Sequence, residues 1–349
     1  MAAKSAITQA QLAKATGVSQ ATISRCLRGD PSQSATSCTR IRKIAQELGY
    51  VPNPFASGMA RERREKNPTP SSNLAMIAGN PQYDPFKMDP EIQQLVSAAR
   101  DQANALGYSI EYFWRYNPEL AGPRLAQVIK TRNILGLFLF HLSHNELNLP
   151  WDQFSIVLQN PTHRSPLFHH LTSNRFQNTQ IALEECQRLG YRRPALLINL
   201  ADDLNRKGEI MNLGAYMAYS HLLREAARIP PFDRNKSAKE FGLWFKKYQP
   251  DVLLGSGPAP LPVPCGFKIP QEVGYVSLSG GKSPVRTGAT YVGDRMDVMG
   301  STAIDLLTTQ IHRHERGFPT HPRCVVIAGQ WHEGSTTLRQ RSTAPIRKS

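Results

Sequence analysis

A group of polar residues follows Gly17, and their side chains are of the types that hydrogen-bond to base edges and to phosphates. Ile23 and Leu27 lie four residues apart and predict a helix that begins after a Ser19 cap and turns an apolar side inward. The outer face of that helix would carry Gln20, Ala21, Ser24, Arg25 and Arg28. Short polar and basic side chains on an exposed helix are suited to a DNA groove.

Two further helices are predicted to hold that face in place. Thr8 and Gln11 fit a capping box that starts a first helix near Gln9, and Gly17 suits the turn that ends it. A third helix would follow a cap at Ser34. Its apolar stripe would be formed by Ile41, Ile44, Ala45 and Leu48, and Gly49 would end it. Helix, turn and helix also occur as a packing unit of helical proteins, so the pattern alone leaves both readings open.

Charge favours the DNA reading. Between Met1 and Lys66 eleven Lys or Arg residues stand against four Asp or Glu, an excess of seven in a chain whose formal net charge is +15. A small domain with that excess attracts phosphates, and its DNA affinity should fall steeply with salt.

The order and spacing of short motifs extend this pattern over roughly the first sixty residues. They are Gly17-Val18-Ser19, Ala21-Thr22-Ile23-Ser24-Arg25, Leu27, Gly29, Glu47-Leu48-Gly49-Tyr50 and Pro52-Asn53-Pro54. The series resembles the head of the lactose-repressor (LacI/GalR) family. The resemblance implies a repressor that acts as a homodimer on a near-palindromic operator in double-stranded DNA.

The resemblance also implies roles for single residues. Gln20 and Ala21 would read bases, and Arg25 would reach a base, most often guanine. Phosphate contacts would come from Thr8, Ser19, Thr22 and Ser24. The sequence departs from the family at Cys26, Gln33 and Cys38, which should affect packing more than base reading.

The segment from Asn53 to Arg64 makes a poor free helix, because it is short and Gly58 costs about 1 kcal/mol against alanine. The resemblance implies a hinge helix that folds only on the operator, capped by Asn53. Ala56 would then lie close to the minor groove, and Met59 would be the apolar wedge between base pairs. By composition alone the segment could also be a flexible tether.

From residue 73 onward, apolar runs alternate with amphipathic helices, which predicts parallel sheets covered by helices on both faces. Predicted strands begin near Leu74, Ser109, Gly136, Ser155, Pro194, Asp251, Val273 and Cys324, and predicted helices span residues 90–106, 122–131, 177–189 and 296–312. About 275 residues is long for one such sheet, so two lobes are expected.

The predicted organisation is a helix-turn-helix domain at 1–52, a hinge and linker at 53–72, a two-lobed domain at 73–340 and a basic tail at 341–349. Lobe 1 would comprise about 73–168 and 290–320, and lobe 2 about 169–289 and 321–340. The weaker resemblance in this region implies a periplasmic-binding-protein-like effector domain, an α/β fold in which a small molecule such as a sugar binds between the lobes.

Candidate effector-binding residues follow several predicted strands and helix starts. They are Asp84, Phe86, Trp114, His141, Gln159, Arg175, Asn212, Ser256 and Ser279. Asn212 replaces the family's sugar-binding arginine, Ser256 stands where an Asn-Asp pair is usual, and Leu278-Ser279 replace acidic residues. Without those charge-assisted hydrogen bonds the effector should be unusual or absent, which leaves a ligand-independent or architectural DNA-binding protein as the alternative.

The candidate enzymatic motifs do not match the patterns that their chemistry requires. Gly280-Gly281-Lys282-Ser283 lacks the first glycine of a phosphate loop, and Pro284 obstructs the helix that must follow. Gly255-Ser256-Gly257 lacks the spacing of a nucleophile elbow. His169-His170 and His312-x-His314 lack ligand-spaced companions, so no metal and no cofactor are expected. A recombinase-like enzyme would also need clustered acids or an activated Ser or Tyr, and neither is evident.

The remaining features favour a cytoplasmic protein associated with the bacterial nucleoid. The five cysteines are scattered and lack a Cys-x-x-Cys pair, as isolated thiols in a reducing compartment would be. They are Cys26, Cys38, Cys186, Cys265 and Cys324. The longest apolar run, Ile134 to Phe140, is far below the roughly 20 residues that cross a bilayer, and no signal peptide is expected.

Overall fold

The computed structural model describes residue 7 and residues 9–28, 33–48, 73–80, 84, 88–120, 123–142, 147–159, 167–201, 206–223, 225–257, 267–278 and 288–340. The chain divides into two compact units. Unit 1 comprises Met1–Met88, Leu95–Leu171 and Gly300–Cys324, and unit 2 comprises Asp89–Gln94, Thr172–Met299 and Val325–Ser349.

Three short helices form the head: α1 (Gln9–Thr16), α2 (Gln20–Arg28) and α3 (Ala35–Glu47). Their core consists of Leu12, Ile23, Cys26, Cys38, Ile41 and Ala45, all buried. The predicted Ser34 cap is confirmed, since the Ser34 Oγ accepts the Ser37 N–H at 3.2 Å. Cys26 and Cys38 pack inside the head, as expected.

The prediction that Leu48 belongs to the buried stripe of α3 is wrong. Leu48 is 40% exposed and follows the end of the helix as its C-cap. Ala45 is the last buried residue of α3, because the core made by three such short helices ends before the final turn.

Alternating strands and helices make up the rest of the described chain. The strands are β1 (Asn73–Ala78), β2 (Ser109–Trp114), β3 (Ile134–Phe140), β4 (Ser155–Gln159), β5 (His169–Ser173), β6 (Pro194–Ile198), β7 (Phe232–Asp233), β8 (Val252–Gly255), β9 (Gly274–Ser277), β10 (Thr290–Gly293), β11 (Cys324–Ile327) and β12 (Gln330–His332). The helices are α4 (Pro90–Ala105), α5 (Arg124–Thr131), α6 (Arg175–Arg188), α7 (Arg206–His221), α8 (Ala238–Tyr248) and α9 (Met296–Arg313).

The first sheet has the order β11-β5-β4-β3-β1-β2. The pairs β1–β2, β1–β3, β3–β4 and β4–β5 are parallel. One face packs against α5 through Leu125 and Ile129 in an apolar cluster with Leu137 and Leu139. The central strands β1, β3 and β4 are buried almost throughout, as expected of a parallel sheet covered on both faces.

Helix α9 packs closely in unit 1 because it carries small residues at its contacts. A Cβ built on Gly300 would lie 2.3 Å from the Leu95 carbonyl oxygen of α4. On the neighbouring strand, a Cβ at Gly136 would lie 3.0 Å from the Leu307 side chain of α9. Glycine at these points lets α9 approach both α4 and β3 closely.

The second sheet has the order β12-β10-β9-β8-β6-β7. One apolar cluster joins α6 and α7 to it through Ala182, Leu183 and Tyr216, and another joins α8 to it through Phe241. Its strands are parallel except for β12, which pairs with β10 in the antiparallel direction. That edge strand departs from the all-parallel expectation; it begins three residues after the end of β11, which belongs to the first sheet.

Among the described residues no helix combines the length and apolarity needed to span a bilayer. The same residues contain no group of three or more His, Cys, Asp or Glu side chains arranged to hold a metal ion.

Candidate nucleic-acid interface and ligand cluster

The turn between α1 and α2 is set by Gly17, whose φ of +73° lies in the left-handed region that favours glycine. Its N–H donates to the Ala13 carbonyl at 3.0 Å and closes α1. Ser19 then caps α2: its Oγ accepts the Thr22 N–H at 3.1 Å and lies 2.9 Å from the Thr22 hydroxyl. The turn thus presents the amino end of α2, the positive end of its helix dipole, at the surface.

The described part of the predicted reading face is exposed. Gln20 and Arg25 are exposed, Thr22 is half-buried, and Ile23 beside them is fully buried. Thr8, Asn53, Ala56 and Met59 lie outside the described residues, as do the side chains of Ala21, Ser24 and Arg28. Position on α2 therefore agrees with the predicted direction of Gln20 and Arg25, while contact with DNA stays a prediction.

Two arginines of α3 hold the reading helix in place, a role that sequence reasoning missed because it counted them only as charge. Arg40 Nη2 donates to the Thr16 carbonyl at the end of α1, at 3.2 Å. Arg42 Nη2 donates to the Cys26 carbonyl near the end of α2, also at 3.2 Å. Cations at helix C-termini offset the negative end of the helix dipole. No local pattern in the sequence marks them, because both hydrogen bonds depend on how α3 packs against α1 and α2.

The candidate effector residues of unit 1 follow the carboxyl ends of neighbouring strands. Trp114 ends β2, His141 follows β3 and Gln159 ends β4. The Trp114 Nε1–H donates to the Asn80 carbonyl just after β1, at 3.0 Å, and His141 has a left-handed φ of +49°. Ligands of open parallel sheets bind at this edge. Asp84 is half-buried, and Phe86 lies outside the described residues.

In unit 2 the fold brings three predicted residues into one hydrogen-bonded network. Asn212 is buried; its Oδ1 accepts the Thr179 hydroxyl at 3.1 Å, and its Nδ2 lies 3.4 Å from the Ser256 Oγ. Arg175 donates from Nη1 to the Leu278 carbonyl at 2.9 Å. Ser279, the last predicted residue here, lies outside the described part of the chain.

Sequence reasoning missed other members of this network. The Arg234 guanidinium donates to the Ser256 carbonyl, and the hydroxyls of Tyr275 and Ser277 each donate to the Gly257 carbonyl at 2.8 Å. Arg234 follows the two-residue strand β7, which is too short to leave a periodic pattern in the sequence. The polar groups around Ser256 are therefore bound largely to one another.

An acidic group lies beside Arg175 in the same unit. The Asp294 carboxylate is 3.5 Å from Arg175 Nη2 and accepts a 3.2 Å hydrogen bond from Asn178. Burial, followed by the nearby carboxylates of Asp89 and Asp294, raises the pKa of Glu91 to about 7, and the Arg175 charge opposes them only in part.

This shift makes unit 2 less stable as the pH rises. The folded chain holds the Glu91 proton up to about pH 7, whereas the unfolded chain releases it near the ordinary pKa of 4.5, so stability is lost through that interval. Glu91→Gln should therefore raise the melting temperature at about pH 8 and change it little at about pH 4.5. The control is Glu184→Gln, on an exposed residue of α6. A Glu91→Gln gain equal at both pH values would contradict the assignment.

Comparison with known proteins identifies the head. Residues 10–53 match the model of the lacI family of bacterial regulatory proteins. The head of this chain is therefore similar to that of the lacI family. The match contains the turn at Gly17, the Ser19 cap and the whole of α2 and α3, so the geometry above is that of the matched segment.

A curated relative agrees with this over a similar segment. The HTH-type transcriptional regulator PtxS of Pseudomonas plecoglossicida is 40% identical over 62 residues. Those residues are 18% of this chain and 18% of that protein. The likeness in sequence is therefore concentrated in the lacI-family head.

Solved structures extend the likeness in fold beyond the head. The transcriptional regulator CelR, solved as a cellobiose complex, has a TM-score of 0.54 at 18% identity over 95% of this chain and 99% of that one. The lac repressor dimer, solved bound to operator and the anti-inducer ONPF, has a TM-score of 0.50 at 17% identity, with coverages of 95% and 99%. At these identities the comparison shows the fold: a helix-turn-helix head followed by two α/β units.

Proposed function

We propose that this protein is a sequence-specific transcription regulator, a repressor, which binds a near-palindromic operator as a homodimer. The observation that carries the proposal is the exposed amino end of α2, held on a buried core within the segment that matches the lacI family. The excess of seven basic residues before residue 67 adds the charge that phosphates require.

In this proposal the DNA-contacting residues of the head divide into two kinds. Gln20, Ala21 and Arg25 read base edges, and Ser19, Thr22, Ser24 and Thr8 bind phosphates. The Ser19 and Thr22 hydroxyls already pair with each other, so one of the two donates within the pair and the other keeps its proton for a phosphate oxygen. A regulator of this kind acts in the bacterial cytoplasm, at the nucleoid, and is not an enzyme.

We further propose that Met59 is the apolar wedge that opens a central base step in the minor groove, with Asn53 and Ala56 on the same segment. Met59→Ala should then abolish most of the DNA bending, because alanine is too short to separate stacked bases. The measurement is the change in end-to-end distance of an operator labelled at both ends. Met59→Leu, which keeps an apolar branch, should retain the bend; unchanged bending in Met59→Ala would rule the wedge out.

A small-molecule effector of sugar-like chemistry is the natural ligand class for the α/β units, given that the similar CelR structure is a cellobiose complex. The candidate residues are Asp84, Phe86, Trp114, His141 and Gln159 of unit 1 and Arg175, Asn212, Ser256 and Ser279 of unit 2. Binding would change lobe closure and, through it, the hinge segments and operator affinity.

A second candidate function, ligand-independent DNA binding, is favoured by the network around Asn212. The Asn212 amide binds Thr179 and Ser256, Arg234 binds the Ser256 carbonyl, and Arg175 binds Leu278 and Asp294. Thermal-shift measurements with mono- and disaccharides separate the two. A sugar that raises the melting temperature and changes operator affinity supports effector control; no shift with any of them supports the ligand-independent protein.

The regulator proposal itself is tested on genomic DNA. Sheared DNA is mixed with the full-length protein at near-physiological salt, and the bound fragments are recovered and sequenced. The proposal predicts fragments that share an inverted repeat. Fragments without a common sequence would instead indicate a non-specific architectural protein.

A further inference from the structure

The His169 ring, on β5, lies near the carboxylate of Glu315 in unit 1. His170 follows it on the same strand. His169 Nε2 is 3.5 Å from Glu315 Oε2, and Arg323 forms an ion pair with the same carboxylate.

His169 fastens the approach to β11 onto β5. Its buried ring accepts the backbone N–H of Arg323 at Nδ1, at 2.9 Å, while the backbone N–H of His170 donates to the Arg323 carbonyl at 2.9 Å. The chain leaves unit 1 at Leu171 and again at Cys324, one or two residues beyond these bonds. Both hydrogen bonds therefore lie within two residues of a point at which the chain passes from unit 1 to unit 2.

The backbone bond fixes the tautomer of the ring. Because Nδ1 accepts from Arg323, the single proton of a neutral imidazole must be on Nε2, which lies 3.5 Å from Glu315 Oε2 and 3.3 Å from Arg323 Nη2. A second proton would have to occupy Nδ1, which would put two N–H groups face to face and remove the acceptor of the Arg323 amide. Protonation and the backbone bond thus exclude each other.

We propose that His169 is a proton-sensitive clamp, so that acidification releases the beginning of β11 from β5. The charged groups around it are Glu315 from the segment after α9, with Arg313 3.7 Å behind that carboxylate, Arg323 from the approach to β11, and His170 from β5 itself. Glu315 favours the charged ring, whereas burial and the Arg323 guanidinium oppose it. The opposing effects are larger and lower the pKa of His169 below its usual value.

The sign of the pH effect follows. A histidine whose folded pKa is lowered binds its proton more readily when the clamp is open, so the closed clamp is fully stable above pH 6.5 and is weakened as the pH falls toward the folded pKa. Below the folded pKa the weakening is complete.

Hydrogen exchange of the Arg323 amide tests the clamp in the full-length protein. After correction for intrinsic exchange, opening should increase by up to about tenfold per pH unit as the pH falls from 6.5 toward the lowered folded pKa of His169, since one proton is taken up on opening in that interval. His169→Asn keeps an acceptor for the amide but cannot be protonated, so its exchange should not respond to acid. His170→Asn, which removes a neighbouring histidine and leaves the clamp, should behave like the wild type.

Two results would overturn the proposal. One is Arg323 exchange in the wild type that does not respond to acid between about pH 7.5 and pH 5. The other is an acid response that persists in His169→Asn. If that variant fails to fold, NMR titration of the His169 ring in the wild type decides the matter: protonation without a change at the Arg323 amide contradicts the clamp.

Discussion

Arg25→Ala should lower operator affinity about 5- to 150-fold, the loss of about 1–3 kcal/mol expected when a base-reading arginine is removed. Arg25 is exposed on α2, directly beside the buried Ile23 and Cys26, so its guanidinium projects from the head while its backbone stays fixed by the core. The measurement is binding of labelled operator and of random duplex by fluorescence anisotropy. Affinity for the operator should fall by a larger factor than affinity for the random duplex.

Lys43→Ala provides the matched control for charge. Lys43 is exposed on α3, away from the predicted reading helix, and its removal takes away one positive charge as Arg25→Ala does. It should weaken binding to both DNAs by a similar small factor and reduce the salt dependence slightly. If Arg25→Ala weakened operator and random DNA equally, Arg25 would be a phosphate contact, and base reading by this residue would be wrong.

Gly300→Ala should destabilise unit 1 by about 1–3 kcal/mol or more, the usual cost of overpacking. The new Cβ would lie 2.3 Å from the Leu95 carbonyl oxygen and 2.9 Å from the Ala99 backbone nitrogen. Both neighbours are backbone atoms of α4, so no side-chain rotation can make room, and the two helices must move apart. Thermal unfolding should show a lower melting temperature.

Gly214→Ala is the matched control, because it makes the same substitution inside a helix. A Cβ at Gly214 of α7 would meet no atom within 4 Å. Alanine should therefore stabilise α7 by about 0.5–1 kcal/mol through helix propensity alone. If both variants melted at a higher temperature than the wild type, the close approach of α9 to α4 would be refuted.

Most elements could be predicted because their patterns are long or strongly apolar. The Ser19 and Ser34 caps, the buried Ile23 and the central strands β1, β3 and β4 follow directly from capping chemistry and continuous apolar runs. The strands that sequence analysis did not predict are short or lack a continuous apolar run. β5 begins with two histidines, β7 has two residues, and β10 and β12 have four and three. Such strands are fixed by pairing with neighbours and leave little local signal.

The functional residues also divide into those that the sequence could place and those that it could not. Gln20 and Arg25 could be placed on an exposed face because a helix of known start fixes the direction of each side chain. The partners of Asn212 and His169 could not be found, since Ser256, Glu315 and Arg323 come from distant parts of the chain. Only the fold brings them together. Arg40 and Arg42 were recognised as charge, whereas their hydrogen bonds to α1 and α2 depend on how α3 packs.

The most direct test of the central claim compares the sequences selected from random duplex DNA by the wild type and by Gln20→Ala. If the amino end of α2 reads bases, the wild type should select an inverted repeat, and Gln20→Ala should select the same repeat with relaxed preference at one symmetric position in each half. An identical pattern from both proteins would contradict base reading by Gln20, and no shared sequence from the wild type would contradict the regulator itself.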